Sequence, residues 1–179
     1  MPDSADNSPF RLASELGATL AARGWRVTCA ESCTGGGVAC AITEVAGSSR
    51  WFETGFVTYA NDIKTAVLGV QQTTLATHGA VSEQVVREMA LGALERSGAD
   101  YAIAVSGIAG PEGGTEDKPV GTVWLAWGSV DKLQTACLLW PVERGLFQTV
   151  VAAAALDMVR RRLLGIASEP RYFSQRRAR

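Results

Sequence analysis

One feature constrains the fold of this chain more than any other: a strand-sized apolar run that empties directly into a glycine turn. Trp25 to Ala30 is short and apolar on balance. It leads into Glu31-Ser32-Cys33-Thr34-Gly35-Gly36-Gly37, and an alanine-rich stretch follows over 38–46. Strand, glycine-rich turn, helix is the order this predicts. A second glycine- and proline-rich loop, 106–120, follows the buried-strand pattern of Tyr101 to Val105. In an open α/β sheet, ligands gather at the carboxyl ends of the strands, so both loops are expected to line one pocket.

The rest of the pattern fits the same architecture. Residues 10–23 place Phe10, Leu12, Ala13, Leu16 and Leu20 near one helical face, with Gly24 as the terminating glycine. Residues 55–60 alternate as a strand does, and Asn61-Asp62 can cap a short helix that carries Lys64 and ends near Gly69. Ser82 caps a helix running to Ser97. Strands over 121–128 and 133–140, joined by Ser129-Val130-Asp131, form a hairpin, and a helix over about 145–164 closes the domain. The expected fold is a single three-layer α/β/α domain with a mixed, mostly parallel sheet and helices on both faces. The domain spans 10–164, between a disordered segment, 1–9, and a basic tail, 165–179.

Composition narrows the chemistry. Four cysteines without a CxxC pair read as reduced thiols, and no apolar run is long enough to span a bilayer, so a soluble cytoplasmic protein is expected. The single histidine, His78, argues against a catalytic zinc site. It also sits in a polar stretch with no GxSxG elbow anywhere, so a serine nucleophile here needs a base other than histidine. Residues 160–179 hold seven arginines and one glutamate, while the rest of the chain is mildly acidic. Nucleic acid is therefore a disfavoured partner, and the tail reads as a helix end followed by a solvated segment.

Lys64 supplies the missing base. The chain has three lysines against fourteen arginines, and only lysine can act as a base when desolvated. Ser32, just before the glycine turn, and Lys64 make a nucleophile and base pair, with Tyr59 able to relay a proton or orient them. Position alone also suits Ser32 as a helix cap. The turn amides at Thr34, Gly35 and Gly36 suit a phosphate or an oxyanion. Cys33 has nothing evident to lower its pKa beyond the helix that follows, and Ser48-Ser49 reads as a turn. Glu31, Glu112, Glu116 and Asp117 are taken as solvated loop carboxylates. Arg144, at the start of the last helix, either holds a phosphate or pairs with Glu143 on the surface.

Five segments, AESCTGG at 30–36, GFVTYAND-x-K at 55–64, HGAVS at 78–82, SGIAGPEGG at 106–114 and KPVGTVW at 118–124, together resemble the nicotinamide-nucleotide amidase family, the CinA C-terminal domain. The resemblance covers about 10–164. It implies hydrolysis of nicotinamide mononucleotide to nicotinic acid mononucleotide and ammonia in pyridine nucleotide recycling, by a homodimer with no cofactor or metal. It implies Ser32, Tyr59 and Lys64 as catalytic residues. Thr34, Gly35, Gly36, Asn61, Ser106, Gly107, Ala109, Gly110 and Arg144 then line the nucleotide pocket. Two positions depart from the family pattern: Ser106 stands where threonine is common, and Gln148 where a second arginine often follows Arg144. The competing expectation is a catalytically silent nucleotide-binding or interaction module of the same fold.

Overall fold

The computed structural model describes residues 8–168, 170, 172 and 173. The elements in chain order are α1 (Pro9–Arg23), β1 (Val27–Glu31), α2 (Gly37–Thr43), β2 (Gly55–Val57), α3 (Asn61–Leu68), α4 (Gln72–His78), α5 (Glu83–Ser97), β3 (Tyr101–Gly107), β4 (Thr122–Gly128), β5 (Gln134–Leu139) and α6 (Arg144–Leu164). One five-stranded sheet has the order β2-β1-β3-β4-β5. β1 pairs in parallel with β2 and β3, and the β4–β5 hairpin adds antiparallel to β3, so only β4 opposes the common direction.

Successive strand residues face opposite sides of the sheet, and the two sides carry different residues. On one side Cys29, Ile103, Val105, Val123 and Leu125 form a large core with α1, α2 and α6. On the other, Ala30, Ala102, Ala104 and Ala126 present a flat alanine surface to Val85, Val86, Met89 and Ala90 of α5 and Leu68 of α3. Small strand side chains bring α5 close to the sheet. Gly92 brings α5 close to α3 as well: a Cβ at that position would lie 1.9 Å from the Leu68 carbonyl oxygen.

Local chemistry sets the element ends. Ser8 accepts from the Arg11 amide at 3.3 Å with Pro9 opening α1, and Gly24 closes it at φ 66°. Leu12, Ala13, Leu16 and Leu20 are buried as expected, but Phe10 is exposed, because the first turn precedes the contact with α6 and α2. α3 is capped at Ala60 without a side-chain bond, and Asn61 is its first helical residue rather than its cap. β2 ends at Val57, sooner than the alternating pattern suggested. The polar stretch before Gly79 forms α4, with no buried residue and so no periodicity to read; Thr74 and the Gln71 amide tie it to Glu88 of α5.

Past Gly165 the described residues return to the domain. The Tyr172 hydroxyl donates to Asp157 Oδ2 at 2.8 Å, and its ring tilts against Trp140 at 6.2 Å between centroids. Asp157 is buried and also accepts from Arg160 at 2.7 Å and Arg161 at 2.6 Å. Residues 1–7, which make up most of the expected disordered segment, and 169, 171 and 174–179 of the expected tail lie outside the described residues.

Removing this carboxylate takes from Arg160, Arg161 and the half-buried Tyr172 hydroxyl an acceptor that they share, although Arg160 keeps Glu15 and Arg161 the Ser168 carbonyl. Asp157→Ala should therefore lower the unfolding free energy by about 3 kcal/mol. Urea denaturation checks this, and an unchanged midpoint would show the cluster to be solvated.

Candidate active site

The site lies at the carboxyl ends of β1, β2 and β3, and the ladder places its residues. The Ser32 amide donates to the Val105 carbonyl at 3.1 Å and the Thr58 amide to the Glu31 carbonyl at 2.9 Å, so pairing runs one residue past β1 on both sides. Glu31 and Ser32 consequently face opposite sides of the sheet. Glu31 faces α2, and Ser32 faces the layer of α3 and α5.

Glu31 is completely buried, not the solvated loop acid its neighbours suggested. Its Oε2 accepts from Thr34 Oγ1 at 2.6 Å and from the Gly36 and Val38 amides at 3.0 Å each; its Oε1 accepts from the Ala39 amide at 2.8 Å. The positive end of α2 thus receives a carboxylate from the protein itself. Gly35 and Gly36 take φ of 61° and 102° to close the turn, conformations open to glycine. Gly35 donates to the Ser32 carbonyl and Gly37 to that of Thr34. The Thr34 hydroxyl and the Gly35 and Gly36 amides, expected to meet substrate, are therefore engaged inside the turn. Among the described residues, the turn amides that donate to no other residue are those of Cys33 and Thr34.

Lys64 enters on the Ser32 side. Only 1% of it is exposed; its Nζ lies 3.2 Å from Ser32 Oγ and donates to the Tyr59 carbonyl at 2.8 Å. Burial lowers its pKa from the ordinary lysine range, an effect that the Cys33 thiol opposes more weakly. No carboxylate accepts from it among the described residues, so no ion pair holds it in the charged form. Cys33 is buried, and its thiol is pushed up to about 12, chiefly by desolvation, which makes it a poor nucleophile beside Ser32.

Arg144 closes the arrangement from the first turn of α6. Glu143 caps that helix through the Gly145 and Leu146 amides, which hold its carboxyl below the usual range, while the Arg144 guanidinium turns the other way. It donates to the Gly110 carbonyl at 3.0 Å and the Tyr59 hydroxyl at 3.2 Å. Tyr59 thus reaches Lys64 through its carbonyl and Arg144 through its hydroxyl, and the residue is 61% exposed. One turn along α6, Gln148 Nε2 donates to the Cys33 carbonyl at 3.0 Å and braces the glycine turn from outside it. Asn61 stands exposed one turn before Lys64. Ser106 is buried beside Ser32, its hydroxyl donated to the Ala80 carbonyl at 2.8 Å. Gly107 packs where a Cβ would meet the Thr122 carbonyl, and Ala109 is buried below Gly110. Ser48 opens a short turn of 3-10 helix, Ser48–Arg50, ahead of β2 and so at the opposite end of the strands. His78 contributes a carbonyl to Lys118 Nζ at 2.7 Å.

Comparison with known proteins places this geometry. The CinA C-terminal domain model matches residues 10–163. The chain belongs to that family. It is 54% identical over 170 residues to a CinA-like protein of Colwellia psychrerythraea, covering 95% of this chain but 39% of that protein. It is 60% identical over 124 residues to the nicotinamide-nucleotide amidohydrolase PncC of Escherichia coli K12, covering 69% of this chain and 75% of that one. The crystal structure of the competence damage-inducible protein A of Klebsiella pneumoniae superposes with a TM-score of 0.85 at 41% identity, over 90% of this chain and 99% of that one.

Among the residues around the site, Glu31 is one that the sequence reading placed wrongly and Gln148 one that it left without a role. The signal for Glu31 was its position as the last strand residue ahead of a threonine and three glycines, where a carboxylate can reach back to helix amides. Glu31→Gln puts an amide nitrogen where the carboxylate now accepts. The variant should lose about 3 kcal/mol of stability in guanidinium denaturation, and Glu31→Ala at least as much. Wild-type stability in Glu31→Gln would mean that the turn holds without its charge.

Proposed function

We propose that this chain hydrolyses the carboxamide of nicotinamide mononucleotide to nicotinic acid mononucleotide and ammonia, with Ser32 as nucleophile and Lys64 as its base. The observation that carries this reading is the buried contact between Ser32 Oγ and Lys64 Nζ, made by a lysine whose burial favours the neutral amine. The PncC name of relatives at this level of identity supports the reaction class.

The chemistry follows from the placement. Lys64 takes the Ser32 proton as Oγ attacks the carboxamide carbon, and the oxyanion turns toward the Cys33 and Thr34 amides. Lys64 then returns the proton to the nitrogen, the C–N bond breaks, ammonia leaves and an ester to Ser32 remains. Water, deprotonated by the same amine, attacks that ester, and the acid leaves as Oγ regains a proton. Arg144 has no carboxylate partner among the described residues, so its guanidinium is available to the 5′-phosphate at the mouth of the site.

Ammonia release from nicotinamide mononucleotide is the direct test. Ser32→Ala and Lys64→Met should each lower kcat by about 10³-fold or more, and the double variant should be no worse than either, because the pair acts as one unit. Full activity in either variant would remove the assignment.

The pH profile carries a sign. The active form of Lys64 is neutral, so kcat/KM should rise with pH through a pKa below that of an ordinary lysine. A profile that falls over that range would assign the limb to an acid. Arg144→Ala should raise KM about tenfold for the mononucleotide and leave the unphosphorylated nucleoside unchanged. Equal losses on both substrates would place the phosphate elsewhere.

A further inference from the structure

The sheet register sets Ser32 in a lateral row with two other hydroxyl residues. Glu31 is level with Val57 on β2 and Val105 on β3, and the ladder continues one step beyond each pair, so Thr58, Ser32 and Ser106 stand side by side. Their side chains share one face, because Phe56, Ala30 and Ala104, each two residues earlier, all belong to the core beneath α5. Neighbouring strands lie about 4.8 Å apart, so Thr58 and Ser106 flank the nucleophile at contact range.

The three hydroxyls differ in what they bond. Ser32 faces Lys64, and Ser106 donates to the Ala80 carbonyl. Thr58 is 1% exposed, and its Oγ1 has no hydrogen-bond partner. An unpaired buried hydroxyl is destabilising, so one that stands level with a reactive serine calls for a partner that the folded chain does not supply. Among the described residues Thr65 Oγ1 is the other buried side-chain atom without a partner; it lies about 100° round α3 from Lys64 and so off the face that meets Ser32.

A carboxamide nitrogen has two hydrogens to donate, and the groups around Ser32 are mostly donors themselves. The Lys64 amine and the Cys33 and Thr34 amides suit the carbonyl oxygen and the proton transfers. The Thr34 hydroxyl donates to Glu31 and that of Ser106 to Ala80. Thr58 Oγ1 has free lone pairs, on the β2 side of Ser32 and away from the glycine turn. We propose that Thr58 is a further catalytic residue of this site, its Oγ1 accepting a hydrogen bond from the carboxamide nitrogen and holding it as ammonia departs. This rests on the Ser32 and Lys64 reading. Thr58 makes and breaks no covalent bond; it orients the leaving group toward the Lys64 proton.

The test is ammonia release from nicotinamide mononucleotide by the full chain as wild type, Thr58→Val, Thr58→Ser and Ser32→Ala, with thermal unfolding of each. The nitrogen becomes a stronger donor once Lys64 protonates it in the tetrahedral adduct, so the bond to Thr58 tightens after substrate binding and the loss should fall on kcat. Thr58→Val should lower kcat about tenfold with KM little changed, at a Tm equal to or above wild type, and Thr58→Ser should stay within about threefold. Wild-type kcat in Thr58→Val, with Ser32→Ala silent, overturns the role of Thr58 and leaves the nucleophile in place. A lowered Tm in Thr58→Val also overturns it, because the hydroxyl would then have a structural partner. Full activity in Ser32→Ala, or none in wild type, removes the premise and the Thr58 role with it.

Discussion

The carboxylate of Glu31, buried at the end of β1, accepts from the Thr34 hydroxyl and from three amides at the start of α2. That cluster decides the shape of everything at the carboxyl end of the sheet. It satisfies helix-end donors that burial would otherwise leave orphaned, and it closes the turn through two glycines with left-handed backbone. The helix-end field that commonly binds a ligand anion is here directed to a residue of the protein. The turn is thereby a rigid platform for Ser32, and the charged group proposed to meet the substrate phosphate is Arg144, at the start of α6.

Strand alternation separates support from chemistry. Glu31 points to the α2 side with the larger core, and Ser32, one residue later, points to the α3 and α5 side where Lys64 enters. The alanine surface of that side lets α5 and α3 approach the sheet closely enough to bury a lysine. Burial there lowers the Lys64 pKa from the ordinary lysine range, and no carboxylate among the described residues accepts from it. Arg144 then binds three segments together, touching Gly110 after β3 and Tyr59 after β2 from the first turn of α6.

Much of this was legible in the sequence because it follows from periodicity and punctuation. The buried face of α1, the Ser82 cap, the β4–β5 hairpin and the strand-turn-helix around Ser32 all carry such signals, and so does the pairing of Lys64, one of three lysines, with a serine in a chain that favours arginine. What escaped depended on distance along the chain or on burial. α4 buries nothing and leaves no pattern. Glu31 sits in a string of turn residues and reads as solvated until the ladder shows that it still belongs to the strand. The Gln148 contact with the Cys33 carbonyl joins segments far apart in sequence. Thr58 carries no local mark at all; its significance comes from register, which places it level with Ser32.

The central claim is that Ser32 becomes acylated, and the order of product release tests it most directly. Rapid-quench single-turnover reactions with nicotinamide mononucleotide would follow ammonia, the acid product and the mass of the peptide that contains Ser32. Ammonia is expected to precede the acid, with the substrate-derived acyl group on Ser32 during the interval. Ammonia and acid rising together at every time, with Ser32 unmodified, would contradict it and assign the attack to water.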